Sequence, residues 1–221
     1  MTKFKIVVAG PKGTGKSIIS NHLAGVSSNN SNSEQLLVTN KYDPTAGVRI
    51  LEIELKLSGL TYSEDCNIEI WDSSGDTKYS KILLYIFIIY LNYLKLLNPR
   101  YEACWRAIMA EADGIVLIYN PDAPAQDQQI NDWFDFFVKK NGLRDEQCMI
   151  FAHRTGESTE RFRPRKGIFT AHVFFLLSSI LFAAPLFSRV NAALTGPQSG
   201  ADVKSMFENF LSELFTLKQR K

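Results

Sequence analysis

The chain has 221 residues, 45% of them apolar, and a formal net charge of +2 at neutral pH. That length suits one domain with one core, and the near balance of charge argues against a nucleic-acid surface beyond the short basic end Lys218-Gln219-Arg220-Lys221. Three cysteines, Cys66, Cys104 and Cys148, are odd in number and show no CxxC spacing, which argues against a disulfide framework. Together with a Met-Thr-Lys start that carries no apolar leader, they point to the reducing cytosol. There is no glycine after Met1 and no cysteine among the last residues, so no lipid anchor is expected.

The apolar run Phe4-Lys5-Ile6-Val7-Val8-Ala9 reads as a buried strand and leads directly into Gly10-Pro11-Lys12-Gly13-Thr14-Gly15-Lys16-Ser17. This is the spacing of a phosphate-binding loop. Glycines let the backbone fold closely so that successive N–H groups converge on phosphate oxygens, helped by the positive end of the following helix. Gly10, Lys12, Gly13, Thr14, Gly15, Lys16 and Ser17 are therefore expected around a phosphate chain, with Lys16 reaching the β- and γ-phosphates and the Ser17 hydroxyl placed for Mg²⁺.

Ile18 to Ala24 has the apolar spacing of a short helix, through Ile18, Ile19 and Leu23. Residues 27–40 are rich in serine and asparagine and read as a long mobile polar loop. Val48 to Leu57 alternates apolar with polar side chains, imperfectly at Ile50-Leu51, and predicts a half-buried strand; Asn67 to Trp71 is its hairpin partner. Glu102 to Ala112 is helical through Trp105, Ile108 and Met109. Gly114 to Asn120 is a continuous apolar run, as in a strand covered on both faces. Ala125 to Lys140 places Ile130, Trp133, Phe134 and Phe137 on one helical stripe, which reads as core, and Cys148 to Ala152 is another buried strand. Ser199-Gly200-Ala201-Asp202 has the form of a capping box before an amphipathic final helix from Val203 to Leu217. The alternation predicts one α/β domain over residues 1–221, a mainly parallel sheet flanked by helices with ligand loops at the carboxyl ends of its strands.

Two downstream segments complete the expected site. Trp71-Asp72-Ser73-Ser74-Gly75 ends a strand, where Asp72 can hold Mg²⁺ through water and the Gly75 N–H can meet a γ-phosphate; Thr45 adds a hydroxyl for the metal. Ser17, Thr45 and Asp72 thus form the expected metal set, in a small-GTPase arrangement whose two loops respond to the third phosphate. Pro44-Thr45-Ala46-Gly47-Val48 resembles the first switch of Rab proteins, and Asp113 to Tyr119 resembles their following strand. Tyr42 to Glu52, Trp71 to Asp76, Cys104-Trp105 and Gln147 to His153 are more specifically similar to the Rab-like small GTPases of intraflagellar transport complex B. The resemblance implies a Ras-like P-loop fold, bound GTP or GDP with Mg²⁺, coiled-coil subunits of that complex as partners, and a place in cytoplasm and cilium.

The departures from that pattern carry their own expectations. Asp76 stands where Ras-like enzymes carry the glutamine that orients the attacking water, so hydrolysis is expected to be slow. Lys12 occupies a position commonly small in active enzymes and can crowd the γ-phosphate. The usual Asn-Lys-x-Asp is replaced by His153-Arg154-Thr155-Gly156, which offers no carboxylate to guanine; His153 reads equally as a base contact or as a solvent-exposed loop residue, Arg154 as a base contact, and Asn191-Ala192-Ala193 as the last base loop.

Two apolar segments interrupt this pattern, Ile82 to Leu97 and Ile168 to Phe187. A membrane crossing at the first would put Asp72 and the strand Gly114 to Tyr119 on opposite sides of a bilayer, and an exposed excursion would be an aggregation liability. Removing residues 79–100 instead rejoins Lys78 to Tyr101 at the family's spacing, in frame and with codons that permit splice signals, so a retained intron accounts for it; about 167–183 has the same reading. Three functions stay open: a nucleotide-binding assembly subunit, a cycling vesicle-trafficking GTPase, and a membrane-anchored GTPase using Ile168 to Phe187.

Overall fold

The computed structural model describes residues 1–26, 45–59, 62–75, 102–154 and 190–220. The expected polar loop 27–40, both apolar segments and Asp76 lie outside the described residues. Within them the order is β1 (Thr2–Ala9), α1 (Lys16–Leu23), β2 (Val48–Ser58), β3 (Ser63–Ser73), α2 (Glu102–Met109), β4 (Gly114–Tyr119), α3 (Pro124–Phe137), β5 (Cys148–His153), β6 (Asn191–Thr195) and α4 (Gly200–Gln219).

The strands form a six-stranded sheet in the order β2-β3-β1-β4-β5-β6. All neighbours are parallel except β2, which runs antiparallel to β3. This mixed α/β arrangement is compatible with a P-loop GTPase-like fold. Strand β1 pairs with β3 on one side and β4 on the other, so the order reverses at β1. A loop leaving its carboxyl end enters the crevice where open α/β sheets take their ligands.

Strand alternation divides the core in two. Phe4, Ile6 and Val8 of β1 face a cluster with Ile19 and Leu23 of α1 and Val203, Phe207, Phe210, Leu211 and Leu214 of α4. Val7 and Ala9 face the opposite cluster, with Trp105 and Ile108 of α2 and Ile130, Trp133, Phe134 and Phe137 of α3. The i, i+4, i+7 spacing along α4 puts its apolar side chains on one stripe, and each large one buried contributes roughly 1.5–3 kcal/mol.

Strand β6 was not anticipated, and its five residues include only two that are buried, Ala193 and Thr195. Helix α3 stops at Phe137, short of the expected Lys140, where the Asn141 side chain donates to the Phe136 and Phe137 carbonyls at 2.8 and 3.2 Å. The expected capping box at Ser199 does not form. Its Oγ accepts from the Gly196 N–H at 3.1 Å, which turns the β6–α4 connection and leaves the helix without a side-chain cap. Among the described residues no helix is long and apolar enough to cross a membrane.

Candidate functional site

The loop between β1 and α1 holds three glycines at positive φ: Gly10 at 141°, Gly13 at 76° and Gly15 at 85°. Two of them are closely enclosed. A Cβ on Gly10 would lie 1.9 Å from the Ile118 carbonyl oxygen of β4, and one on Gly15 would lie 2.8 Å from Cδ2 of His153. The loop is therefore seated directly on the carboxyl ends of β4 and β5.

Lys16 opens α1 yet is buried, and burial depresses its pKa from 10.5 to about 8. The Asp72 charge opposes that shift. Its Nζ donates to the Pro11 carbonyl at 2.6 Å. A buried ammonium resting on a neutral carbonyl is poised for an anion, because a phosphate oxygen would compensate its desolvation far better than a peptide dipole.

Two other segments meet this loop. Ser17 and Thr45 share a hydrogen bond between their hydroxyl oxygens at 2.7 Å. The Ser74 N–H donates to the Gly47 carbonyl at 2.8 Å, and Ser73 Oγ donates to the Val8 carbonyl at 2.7 Å. Gly75 lies against the loop so closely that a Cβ there would fall 2.4 Å from the Gly10 oxygen and 2.5 Å from Lys16 Nζ. Residues 10–17, 45–47 and 72–75 thus converge at the carboxyl ends of β1 and β3.

Asp72 is fully buried. Its Oδ2 accepts from Arg49 Nη2 at 2.8 Å and Nε at 3.2 Å, while Oδ1 has no hydrogen-bond partner among the described residues. No group of three or more His, Cys, Asp or Glu side chains gathers among the described residues. Two hydroxyls and a carboxylate with an unmatched buried oxygen are a hard-oxygen set of the kind Mg²⁺ takes alongside phosphate oxygens and water. The residues present therefore fit both an anion at Lys16 and a hard cation at Ser17, Thr45 and Asp72.

The expected base contacts are distributed differently. His153 is the last residue of β5, completely buried, with Nδ1 hydrogen-bonded to Thr195 Oγ1 at 3.1 Å and Nε2 without a partner among the described residues. It supports the loop from beneath, packed on Gly15, and is not a solvent-exposed loop residue. Arg154 is partly buried, its Nε 3.2 Å from Asp122 Oδ1, an ion pair without hydrogen-bond alignment. Asn191 and Ala192 require a correction: they begin β6, with Asn191 opposite Met149 and bonded to Glu213, at the amino edge of the sheet and away from the loop. Thr195, opposite His153, ends the strand, so the connection leaving β6 on the loop's side is residues 196–199. Lys12 is exposed.

The neutral state of His153 has a measurable consequence. Burial depresses its pKa from 6.5 to about 4, so the unfolded chain binds the extra proton first and stability is lost as pH falls from 6.5 toward 4. The full shift corresponds to roughly 3 kcal/mol. His153→Gln is expected to remove that part of the acid sensitivity, read from urea unfolding at several pH values; an unchanged pH slope would show that His153 does not titrate in this way.

Sequence reasoning missed Arg49. The signal that locates it is the hairpin register, which places Arg49 directly opposite Asp72.

No family model matches the chain. It is 31% identical over 166 residues to the intraflagellar transport protein 22 homolog of Danio rerio, covering 74% of this chain and 73% of the relative. The chain belongs to the intraflagellar transport protein 22 family. The Homo sapiens homolog is 32% identical over 154 residues, 69% of this chain and 66% of the relative. The intraflagellar transport protein 22 of Chlamydomonas reinhardtii is 29% identical over 150 residues, 67% and 60% of the two chains. This intraflagellar transport protein 22 family member thus places its glycine-rich loop, Thr45 and Asp72 in one crevice at the point where strand order reverses.

Proposed function

We propose that the chain is a GTP-binding, Rab-like subunit of the intraflagellar transport machinery, acting in the cilium and docking onto coiled-coil subunits of complex B. The observation that carries this reading is the convergence of Lys16, the Ser17–Thr45 pair and Gly75 around one buried cationic centre. Membership of a family whose relatives are named for intraflagellar transport supports the cellular role.

In this reading Lys16 and the loop N–H groups hold the phosphate chain, Ser17, Thr45 and Asp72 hold Mg²⁺, and Gly75 marks the third phosphate. A bound Mg²⁺ would supply positive charge to offset that of the phosphate chain. His153 serves the site through the loop it supports, and Arg154 with Asp122 borders the base side. Asp76 in the glutamine position keeps hydrolysis slow, which suits a subunit that reports nucleotide state rather than one that cycles quickly.

The stretch His153-Arg154-Thr155-Gly156 carries no carboxylate of the kind that grips guanine, so discrimination rests on weaker contacts. Competition of GTP, ATP and XTP against a fluorescent guanine nucleotide is expected to show a GTP preference of no more than about a hundredfold, the value of one or two ordinary hydrogen bonds. Failure of all three to compete, with the fluorescent nucleotide itself unbound, would refute nucleotide binding.

A further inference from the structure

The buried carboxylate of the site already carries a resident cation. Arg49 of β2 lies opposite Asp72 of β3 in the antiparallel register, and its guanidinium donates twice to Asp72 Oδ2, at 2.8 and 3.2 Å. The same Nη2 donates to Asn21 Oδ1 of α1 at 3.0 Å. One guanidinium therefore ties together the helix that follows the loop, the strand after Thr45 and the strand that delivers Gly75. Asp72 has no solvent exposure, and only Oδ1 is left to another partner.

We propose that Arg49 is a positioning residue that stands in for part of the charge of Mg²⁺, so that nucleotide is retained with little dependence on that metal. This rests on the nucleotide reading above. A guanidinium and a divalent cation draw on the same carboxylate, and each lowers the gain from the other: the charge of Asp72 is already matched, and a second cation beside Arg49 is repelled. Ser17 and Thr45 remain to the metal, but their neutral hydroxyls bind it far less strongly than an unpaired carboxylate would. If Arg49 were only a cross-link of the β2–β3 hairpin, its loss would change stability and leave metal dependence untouched.

The test uses the full chain loaded with methylanthraniloyl-GDP, with release followed by fluorescence in excess Mg²⁺ and in excess EDTA. A hydrogen-bonded charge pair is worth roughly ten- to a hundredfold, so the wild-type ratio of the two release rates is expected to stay within about tenfold and to rise about tenfold further in Arg49→Ala. Arg49→Lys, which keeps the charge without the fork, is expected to fall between them. A wild-type ratio above about tenfold, or a rise of less than about threefold in Arg49→Ala, overturns the proposal on the same scale. Should Arg49→Ala fail to fold, the wild-type ratio decides alone. Absence of retained nucleotide in either buffer is a different result: it removes the nucleotide site itself, and this inference with it.

Discussion

Lys16→Ala is expected to weaken GTP and GDP binding by at least about thirtyfold, because truncating one partner of a buried charge pair costs about 2 kcal/mol or more. The folded chain should not suffer. Lys16 is buried against a peptide carbonyl with its pKa depressed to about 8, so in the absence of ligand its ammonium is a burden on the fold. With nucleotide removed from both proteins, the melting temperature of the variant should equal or exceed that of the wild type, while its affinity falls. Lys16 also gives binding a pH dependence of definite sign. Phosphate favours the protonated amine, so affinity should be full below pH 8 and fall as pH rises through 8, by up to about tenfold per unit. Titration of a fluorescent nucleotide across pH 7 to 10 checks both statements; unchanged affinity in Lys16→Ala would detach the loop from phosphate.

Gly10→Ala is the second large effect, and it acts on the fold. The added methyl carbon would sit 1.9 Å from the Ile118 oxygen and 2.9 Å from its carbonyl carbon, both backbone atoms near the carboxyl end of β4, a strand paired on both sides. At φ of 141° Gly10 also occupies a region that side-chain-bearing residues rarely enter. Relief requires parting β1 from β4, so a loss of more than about 4 kcal/mol is expected, enough to abolish the folded state of a marginal domain. Gly13→Ala is the control. It has positive φ but nothing within 4 Å of its would-be Cβ, and should cost only about 1–2 kcal/mol of left-handed strain. Urea unfolding of both variants separates enclosure from backbone strain, and similar losses in the two would contradict the close seating of the loop on β4.

The parts of this site that were legible in the sequence are those whose chemistry is local. A run of glycines ending in Lys16 and Ser17 has to bend tightly and start a helix, and α1 does begin at Lys16. The continuous apolar runs of β4 and β5 announced strands covered on both faces, and every residue of both is buried. The rest depends on register and enclosure. Asn191-Ala192-Ala193 reads as the last base loop in the linear order, yet pairing with β5 makes these residues the start of an edge strand. Ser199 carries the letters of a helix cap, but a competing N–H at Gly196 claims its hydroxyl. His153 read as a ligand or a surface residue because nothing in the linear order reveals that Gly15 lies above it. Arg49 escaped notice for a related reason: it is 23 residues from Asp72, and only the hairpin brings the two opposite.

On the proposed reading, Lys16, Gly75 and the Ser17–Thr45 pair surround a phosphorylated ligand. The most direct measurement is the nucleotide content of the purified full chain: heat denaturation, followed by chromatography of what is released and quantification per chain. Wild type, purified without chelator, is expected to release close to one equivalent of guanine nucleotide, and Lys16→Ala, folded to the same extent, very little. A folded wild-type chain that releases none and takes up none when offered GTP with Mg²⁺ would contradict the nucleotide site.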